Sequence, residues 1–588
     1  MKELQYLNKY FIKYKYRFLL GLFITIIAQV FSLFTPELIG NSIKVIEEFV
    51  KSSSKDISLL KVTLLKNIFY ILATTIIAGF FTFLMRQTLI VMSRYVEFDL
   101  KNEIFNHYQN LSQDFYKRNR TGDLMNRISE DVGKVRMYVG PAVMYSLNTF
   151  MRFTIVVIYM YNISPKLTLY SLLPLPLLSY SIFKISSEIH KRSSAFQKNL
   201  SNLFSITQEI FSGIRVIKAY AIEDKKEKEF LDLTSESKKK AMDLAKMNSL
   251  FGPLMILLIG LSNLVVVFVG GSMYMNNDPE ISSIGVIAQF ILYINMLTWP
   301  VASLGWVSSL VQEAEASQER INEFLKEEPK IKNTAVGNSI IEGNIAFKNV
   351  SFIYEDTQIK ALNNISFEIK KGKTLAIFGK TGSGKSTILT LISRLYDTTD
   401  GEITIDNKDI TSLNLYDLRN QISVVPQDSF LFSDSIKNNI KFGNENATDE
   451  QVIAAAKKAV VHENIITFKE KYETVLGERG ITLSGGQKQR VSIARALIKN
   501  APILLLDDCL SAVDTETEET ILTNLLAYCK DKTTIIVSHR VSSAKNADHI
   551  LILEEGEIIE QGTHSQLLEQ NGYYKELYLK QLSEKETS

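Results

Sequence analysis

Hydrophobic and polar positions divide this chain into two parts with different periods. Before residue 313 the apolar residues gather in six long stretches that lack charge or nearly so, at 18–36, 67–85, 137–164, 167–183, 247–277 and 281–312. A helix needs about 17 to 25 such residues to cross a bilayer. The first two stretches qualify directly, and the third qualifies with Arg152 inside it. The fourth is short and carries Pro174 and Pro176, which a bundled membrane helix tolerates. The last two are long enough to tilt or to continue beyond the bilayer. Six membrane spans are predicted. Segments 94–113 and 192–243 are too polar for a membrane, yet their apolar residues recur at helical spacing between charges. They read as long helices that extend the spans and could carry motion between the two parts of the chain.

After a polar, glycine-containing break at 333–339 the pattern changes to short apolar runs. Strands are predicted at 345–354, 365–369, 374–378, 422–425, 503–506 and 534–538, with a hairpin over 549–561 that turns at Glu555-Gly556. Helical stretches separate them, and 434–483 has the look of a helical insertion. Alternating strands and helices imply an α/β core. The expected fold is therefore an α-helical six-span membrane domain with long cytosolic helical extensions, followed by an α/β domain. The expected boundaries are 1–332, a linker at 333–339, and 340–588.

Charge fixes the orientation. The N-terminal tail carries Lys2, Lys9, Lys13, Lys15 and Arg17; segment 94–136 has eight basic residues and 184–246 has thirteen. The short turns at 164–166 and 278–280 hold only Lys166, and the 37–66 loop is mixed. Basic loops stay on the cytoplasmic side, so both termini and the two long loops are expected in the cytosol of a multi-pass cell-membrane protein. The 66 Lys and Arg against 64 Asp and Glu exclude a broad basic face for nucleic acid. Cys509 and Cys529 are the only cysteines, both in the second part, which fits a reducing compartment. The first apolar run is longer than a signal-peptide core and lacks a small-residue cleavage site. The run 225–229 reads as a solvated helix face rather than a lipid-binding patch, and richness in Lys, Ile and Asn hints at a low-GC bacterium.

The chemistry begins where the 374–378 strand ends. Gly379, Lys380, Thr381, Gly382, Ser383, Gly384, Lys385, Ser386 and Thr387 spell the P-loop pattern, followed by helical spacing over 386–396. Its glycines let backbone N–H groups converge on phosphate oxygens, and the helix N-terminus adds a favourable dipole. Lys385 would reach the β- and γ-phosphates and Ser386 would hold Mg²⁺. The apolar strand 503–506 runs into Asp507 and Asp508, the arrangement in which the first carboxylate helps hold Mg²⁺ and the next stands near the γ-phosphate. Ser484, Gly485, Gly486 and Gln487 precede a helix over 488–499 and form a second nest for phosphate. The six histidines show no metal-ligand spacing.

Leu483-Ser-Gly-Gly-Gln487, with the motifs around it, resembles the ATP-binding cassette (ABC) family, and six spans ahead of it resemble an exporter half-transporter. Segments 120–127 and 213–220 resemble the family's two cytoplasmic loops, which would place 116–120 and 220–224 at or near coupling helices. The resemblance implies ATP as the nucleotide with Mg²⁺. It implies that Tyr354 stacks on adenine, although a strand-end core tyrosine is the alternative. It implies that Gln427 touches Mg²⁺ and the membrane half, that 477–480 reports to the coupling helices, that 511–514 is the D-loop, and that His539 is the switch histidine on the γ-phosphate. Two such domains would meet head to tail, each ATP lying between one P-loop and the partner's LSGGQ.

One residue departs from the family pattern. Where the family has glutamate after the Walker B aspartate, this chain has Asp508. Its carboxylate sits roughly an ångström further back, a displacement that can cost on the order of 10²-fold in rate. The resemblance is therefore to the degenerate-site subunit of heterodimeric bacterial multidrug exporters: a weakly hydrolytic ATP site with an intact LSGGQ motif. The expected activity is ATP-driven export of amphipathic drugs or lipids. The expected partners are a second half-transporter subunit with a catalytic glutamate, membrane lipid and an amphipathic small molecule. A homodimeric flippase and an ATP-regulated channel or sensor are the alternatives. Arg152 inside a span is a functional-site candidate, with a snorkelling or interhelix-paired arginine as the other reading. Trp299 and Trp306 share a helix face, better read as packing or anchoring than as a ligand wall.

Overall fold

The computed structural model describes residues 2–51, 57–333, 335, 337–477, 480, 483–510, 513, 515–541 and 545–587. They form two compact units, one of residues 1–109 with 121–327, the other of 110–120 with 328–588.

Among the described residues of the first unit, six helices are long and apolar enough to cross a membrane: Lys15–Lys51, Ile57–Asn110, Thr121–Ile163, Pro165–Ser212, Glu223–Met275 and Ile284–Leu325. The first, second and fourth contain a predicted span whole; the third, fifth and sixth cover all but one to three terminal residues of theirs, and all six run on past the span. The first reaches Lys51 through Pro36, so the segment that reads as a 37–66 loop is helical at both ends. Ion pairs one turn apart, Lys44–Glu48 and Lys51–Glu47, support that extension. The fourth breaks at Leu173-Pro174 and restarts at Leu175, where proline supplies no N–H. The third contains two π turns, Arg127–Asp131 and Tyr138–Ala142, the latter around Pro141.

Small residues let the first and sixth helices touch: a Cβ on Gly285 would lie 2.1 Å from the Gly40 carbonyl oxygen. The predicted outer turns gather at one end of the bundle. Ser164 Oγ donates to Glu280 at 2.6 Å, Lys166 pairs with Asp278 at 3.0 Å, and Glu47 accepts the Ile284 backbone N–H at 2.9 Å. At the other end Arg127, 7% exposed, ties the third helix to the Arg320 carbonyl and Glu323 of the sixth. The N-terminal turn packs on the second helix through Lys9, Tyr6 and Tyr10 at Glu103 and Lys13 at Asp99.

The second unit is built on two sheets. Strands β1 (Ile345–Ile353), β2 (Lys360–Ile369), β4 (Asp400–Ile405) and β5 (Lys408–Asp409) form an antiparallel sheet in the order β2-β1-β4-β5. Strands β3 (Thr374–Gly379), β6 (Ile422–Val425), β7 (Ile503–Asp507), β8 (Thr533–Val537), β9 (His549–Glu554) and β10 (Glu557–Gly562) form a second in the order β10-β9-β3-β8-β7-β6. Five of these are parallel; only β10 runs back against β9. Alternation along the parallel strands feeds two cores. Leu375, Ile377, Leu505, Ile535 and Val537 face the antiparallel sheet, while Leu504, Leu506 and Ile536 face the helical insertion and the helix Gly485–Lys499. The insertion is helical as expected, with Ile436–Lys441, Asp449–Lys458 and His462–Ile466. Both cysteines are free and buried.

A candidate nucleotide site at the C-terminal edge of the sheet

In an open parallel sheet, ligands bind outside the carboxyl ends of the strands. Four of the singled-out segments leave that edge: the P-loop from β3, His539 from β8, Asp507 and Asp508 from β7, and Gln427 from β6. Loop conformation demands its glycines. Gly384 has φ +96°, and a Cβ there would stand 2.3 Å from the Ala361 carbonyl oxygen, whereas Gly382, at φ +84°, faces open space.

Lys385 is 6% exposed and donates to the carbonyls of Gly379 (2.8 Å) and Lys380 (2.7 Å), so the loop is wrapped around its ammonium. Burial lowers the pKa of that ammonium. The Lys380 side chain turns away to Glu554 at 2.6 Å. Ser383 Oγ is buried without a partner, a cost that a ligand oxygen would relieve. Thr387 Oγ1 lies 3.2 Å from Tyr354 Oη. Ser386 donates to the Asp507 carboxylate at 2.9 Å. A hydroxyl beside a carboxylate fits Mg²⁺, which is held by one or two such groups together with water and phosphate oxygens. Among the described residues no group of three or more His, Cys, Asp or Glu could hold a metal alone.

Burial raises the Asp507 pKa from its ordinary value. An acid whose folded pKa lies above its unfolded value costs stability once both states are ionised, and the cost is relieved as pH falls through the raised pKa. Asp507→Asn is therefore expected to raise the neutral-pH thermal midpoint of the nucleotide-free protein. It should also abolish the Mg²⁺ dependence of ATP affinity. Melts with and without ATP and Mg²⁺ check both.

Asp508 has φ 41°, a left-handed conformation that aspartate tolerates better than most residues, and its N–H donates to the Val537 carbonyl at 2.9 Å. With Cys509, Ser538, His539 and the Glu518–Arg540 ion pair it lines a cavity of about 210 Å³. His539 is held through its backbone by the helix Tyr573–Thr587. Gln581 Nε2 donates to the His539 carbonyl at 2.8 Å, and Gln581 Oε1 accepts the Val541 N–H at 2.7 Å. Gln427 is exposed beyond the edge strand β6.

Tyr354 packs edge-on against Phe352 and Tyr396, with ring centres 4.8 and 5.6 Å away. Lys117 Nζ stands 4.0 Å from its ring centre, over the π-face. Lys117 belongs to the short helix Gln113–Arg118, which is further anchored by Lys330 bridging Asp114 (2.7 Å) and Glu355. The equivalent short helix in the second polar loop is Ile214–Tyr220. Sequence reasoning placed 116–120 near a coupling helix without foreseeing the contact of Lys117 with Tyr354, and it did not find Gln581, since each acts on a residue far along the chain with no local spacing to mark it.

Ser484–Gln487 stand apart from the P-loop. They open the helix Gly485–Lys499, whose apolar face joins the core of the helical insertion, and Ser484 and Gln487 cap one another: Ser484 Oγ accepts the Gln487 N–H, and Gln487 Oε1 accepts the Ser484 N–H at 3.0 Å. Among the described residues no hydrogen bond joins them to the P-loop. Of the predicted reporter and D-loops, Glu478, Arg479, Ser511, Ala512 and Asp514 lie outside the described residues.

Comparison with known proteins agrees with this architecture. Residues 18–301 match the family described as "ABC transporter transmembrane region", and residues 362–511 match "ABC transporter". The chain is 35% identical over 581 residues, 98% of each chain, to the "Multidrug resistance-like ATP-binding protein MdlA" of Buchnera aphidicola subsp. Schizaphis graminum. It is 36% identical to the "Probable multidrug resistance ABC transporter ATP-binding/permease protein YheI" of Bacillus subtilis, covering 98% of this chain and 97% of that one. A solved "bacterial Atm1-family ABC exporter with ATP bound" superposes with a TM-score of 0.78 at 25% identity, over 96% of this chain and 98% of that chain.

Proposed function

Because the chain belongs to the ABC transporter family, as a multi-pass membrane protein whose ATPase domain is fused to its membrane domain, we propose that it is one half of a dimeric exporter of amphipathic small molecules, drugs or lipids. The membrane part extends to residue 332 and the ATP-binding part begins at 340, joined through 333–339, with both termini in the cytosol. The partner is a different chain that carries the catalytic glutamate. Asp508, after an intact P-loop and beside the Walker B aspartate Asp507, is the observation that carries this reading.

The geometry is compatible with a role for each residue that the family resemblance singles out. Lys385 would exchange the Gly379 and Lys380 carbonyls for β- and γ-phosphate oxygens, and Ser383 would gain the partner it lacks. Ser386, Asp507 and Gln427 would hold Mg²⁺, which when bound neutralises charge on the phosphates. Tyr354 would offer its ring to adenine, and His539, steadied by Gln581, would reach the γ-phosphate. Ser484–Gln487 would complete the partner's site, where hydrolysis resets the transporter. Asp508 is too short to orient water well, so the chain's own site would hold ATP for longer.

Inside-out membrane vesicles test the reading. ATP-dependent accumulation of an amphiphilic dye is expected when the chain is co-produced with a half-transporter that has glutamate after its Walker B aspartate, and not when the chain is produced alone. Full transport by the chain alone would establish a homodimer. Undiminished ATP binding with no transport in any combination would overturn export and favour a regulatory membrane protein.

A further inference from the structure

Three polar side chains meet within the apolar stretches of the first and third membrane helices. Arg152 Nε donates to Gln29 Oε1 at 2.7 Å, and Gln29 Nε2 in turn donates to Asn148 Oδ1. Gln29 lies near the middle of the apolar stretch 18–36 and Arg152 near the middle of 137–164, so the cluster sits at mid-depth of the hydrocarbon. One residue beyond Asn148, Thr149 Oγ1 lies 3.3 Å from Ser303 Oγ of the sixth helix. A turn before it, Tyr145 packs edge-on to Trp306 at 5.3 Å.

The guanidinium is underused. Arginine has five N–H donors, and the bond to Gln29 engages one of them. Among the described residues no carboxylate pairs with Arg152. The nearest acid along the first helix is Glu37, about 12 Å of helix beyond Gln29, and it already accepts the Tyr159 hydroxyl at 2.6 Å. The remaining Arg152 nitrogens are not among the buried polar atoms that lack a partner, so they are open rather than sealed. An intramembrane charge is expensive and persists where it faces a cavity or a counter-charge. Here Gln29, itself anchored by Asn148 and 4% exposed, grips the Nε edge, and among the described residues no hydrogen-bond partner is recorded for the two Nη groups. That fork matches the two oxygens of a phosphate or carboxylate.

We propose that Arg152, oriented by Gln29 and Asn148, is the headgroup subsite for an anionic amphiphile: a phosphate, sulfate or carboxylate head on an apolar tail. The inference rests on the export reading and narrows its substrate class. A purely structural arginine would stabilise the helix pair without selecting a headgroup.

The full chain in phosphatidylcholine nanodiscs tests this through the fluorescence of Trp299 and Trp306, its only tryptophans. Dodecyl phosphate is expected to bind at least tenfold more tightly than dodecyltrimethylammonium or dodecyl maltoside, with inorganic phosphate not binding. Arg152→Gln should weaken dodecyl phosphate at least tenfold and leave the maltoside and ATP unchanged. Gln29→Glu, which supplies an internal counter-charge while keeping the arginine, should abolish the same preference and covers the case in which Arg152→Gln does not fold. Competition by phosphatidate built into the disc would identify a lipid as the source of the headgroup, and competition only by single-chain amphiphiles would identify a free one. A headgroup preference that survives both substitutions, or a tighter cationic probe, would overturn the subsite alone. ATP binding without response to any amphiphile would overturn the subsite together with export.

Discussion

Replacing Asp508 with glutamate is expected to raise ATP hydrolysis at this chain's own site about 10²-fold, the scale set by an ångström of misplacement at a reacting group. The backbone cannot extend the reach of the aspartate carboxylate. The Asp508 N–H is bound to Val537 of the neighbouring strand, and φ is fixed at 41°. The carboxylate therefore reaches only as far as its own side chain allows, into the cavity it shares with His539. One more methylene advances it toward the water that a general base must orient, and general-base help is worth about 10² to 10⁴-fold. Glutamate is less at ease in the left-handed region, so the variant should lose up to about 1 kcal/mol of stability. Single-turnover hydrolysis reads the effect, in a complex whose other site has been silenced by glutamate-to-glutamine. An unchanged rate would mean that something other than this carboxylate limits the site, and the degenerate-site reading would fall.

Lys385→Ala should have the second-largest effect, a loss of ATP affinity of 10²-fold or more by equilibrium binding. Each hydrogen bond to a charged group contributes about 1.5 to 3 kcal/mol, and the Lys385 ammonium makes two inside the loop that would pass to phosphate oxygens. Removing it also leaves the Gly379 and Lys380 carbonyls without their donor. Lys380→Ala supplies the contrast. It deletes a positive charge from the same loop, but one directed at Glu554, so ATP affinity should stay within about threefold. Equal losses in the two variants would show that net charge, not the geometry around Lys385, governs binding.

The legible parts of this molecule were those written in local pattern. The six apolar stretches became six helices because length and composition alone decide that a segment can cross a membrane. Strand β6 appears at its expected residues and the hairpin turns at Glu555-Gly556, where both residues have positive φ. Strands β4 and β5 escaped notice because 400–409 is polar and turn-rich; what makes it a sheet is pairing with Ile345, Ala346 and Phe347 of β1. The start of β2 at Lys360 was hidden for the same reason. The P-loop, Asp507 and His539 were readable because glycines, strand ends and carboxylates mark them locally. That all three leave neighbouring parallel strands at one edge is a property of strand order, which no window of sequence contains. Lys117 over Tyr354 is a tertiary encounter of the same kind.

The clamp on His539 also has a consequence in time. Gln581 follows His539 by 42 residues, and the helix that carries it is made after all ten strands. At roughly 5 to 20 residues per second, a ribosome needs about 2 to 8 s to cover that interval. During those seconds a nascent chain already has its P-loop and its membrane helices, while the segment around His539 still lacks the glutamine that grips it on both sides. The segment around His539 is thus the last part of the candidate site to be clamped.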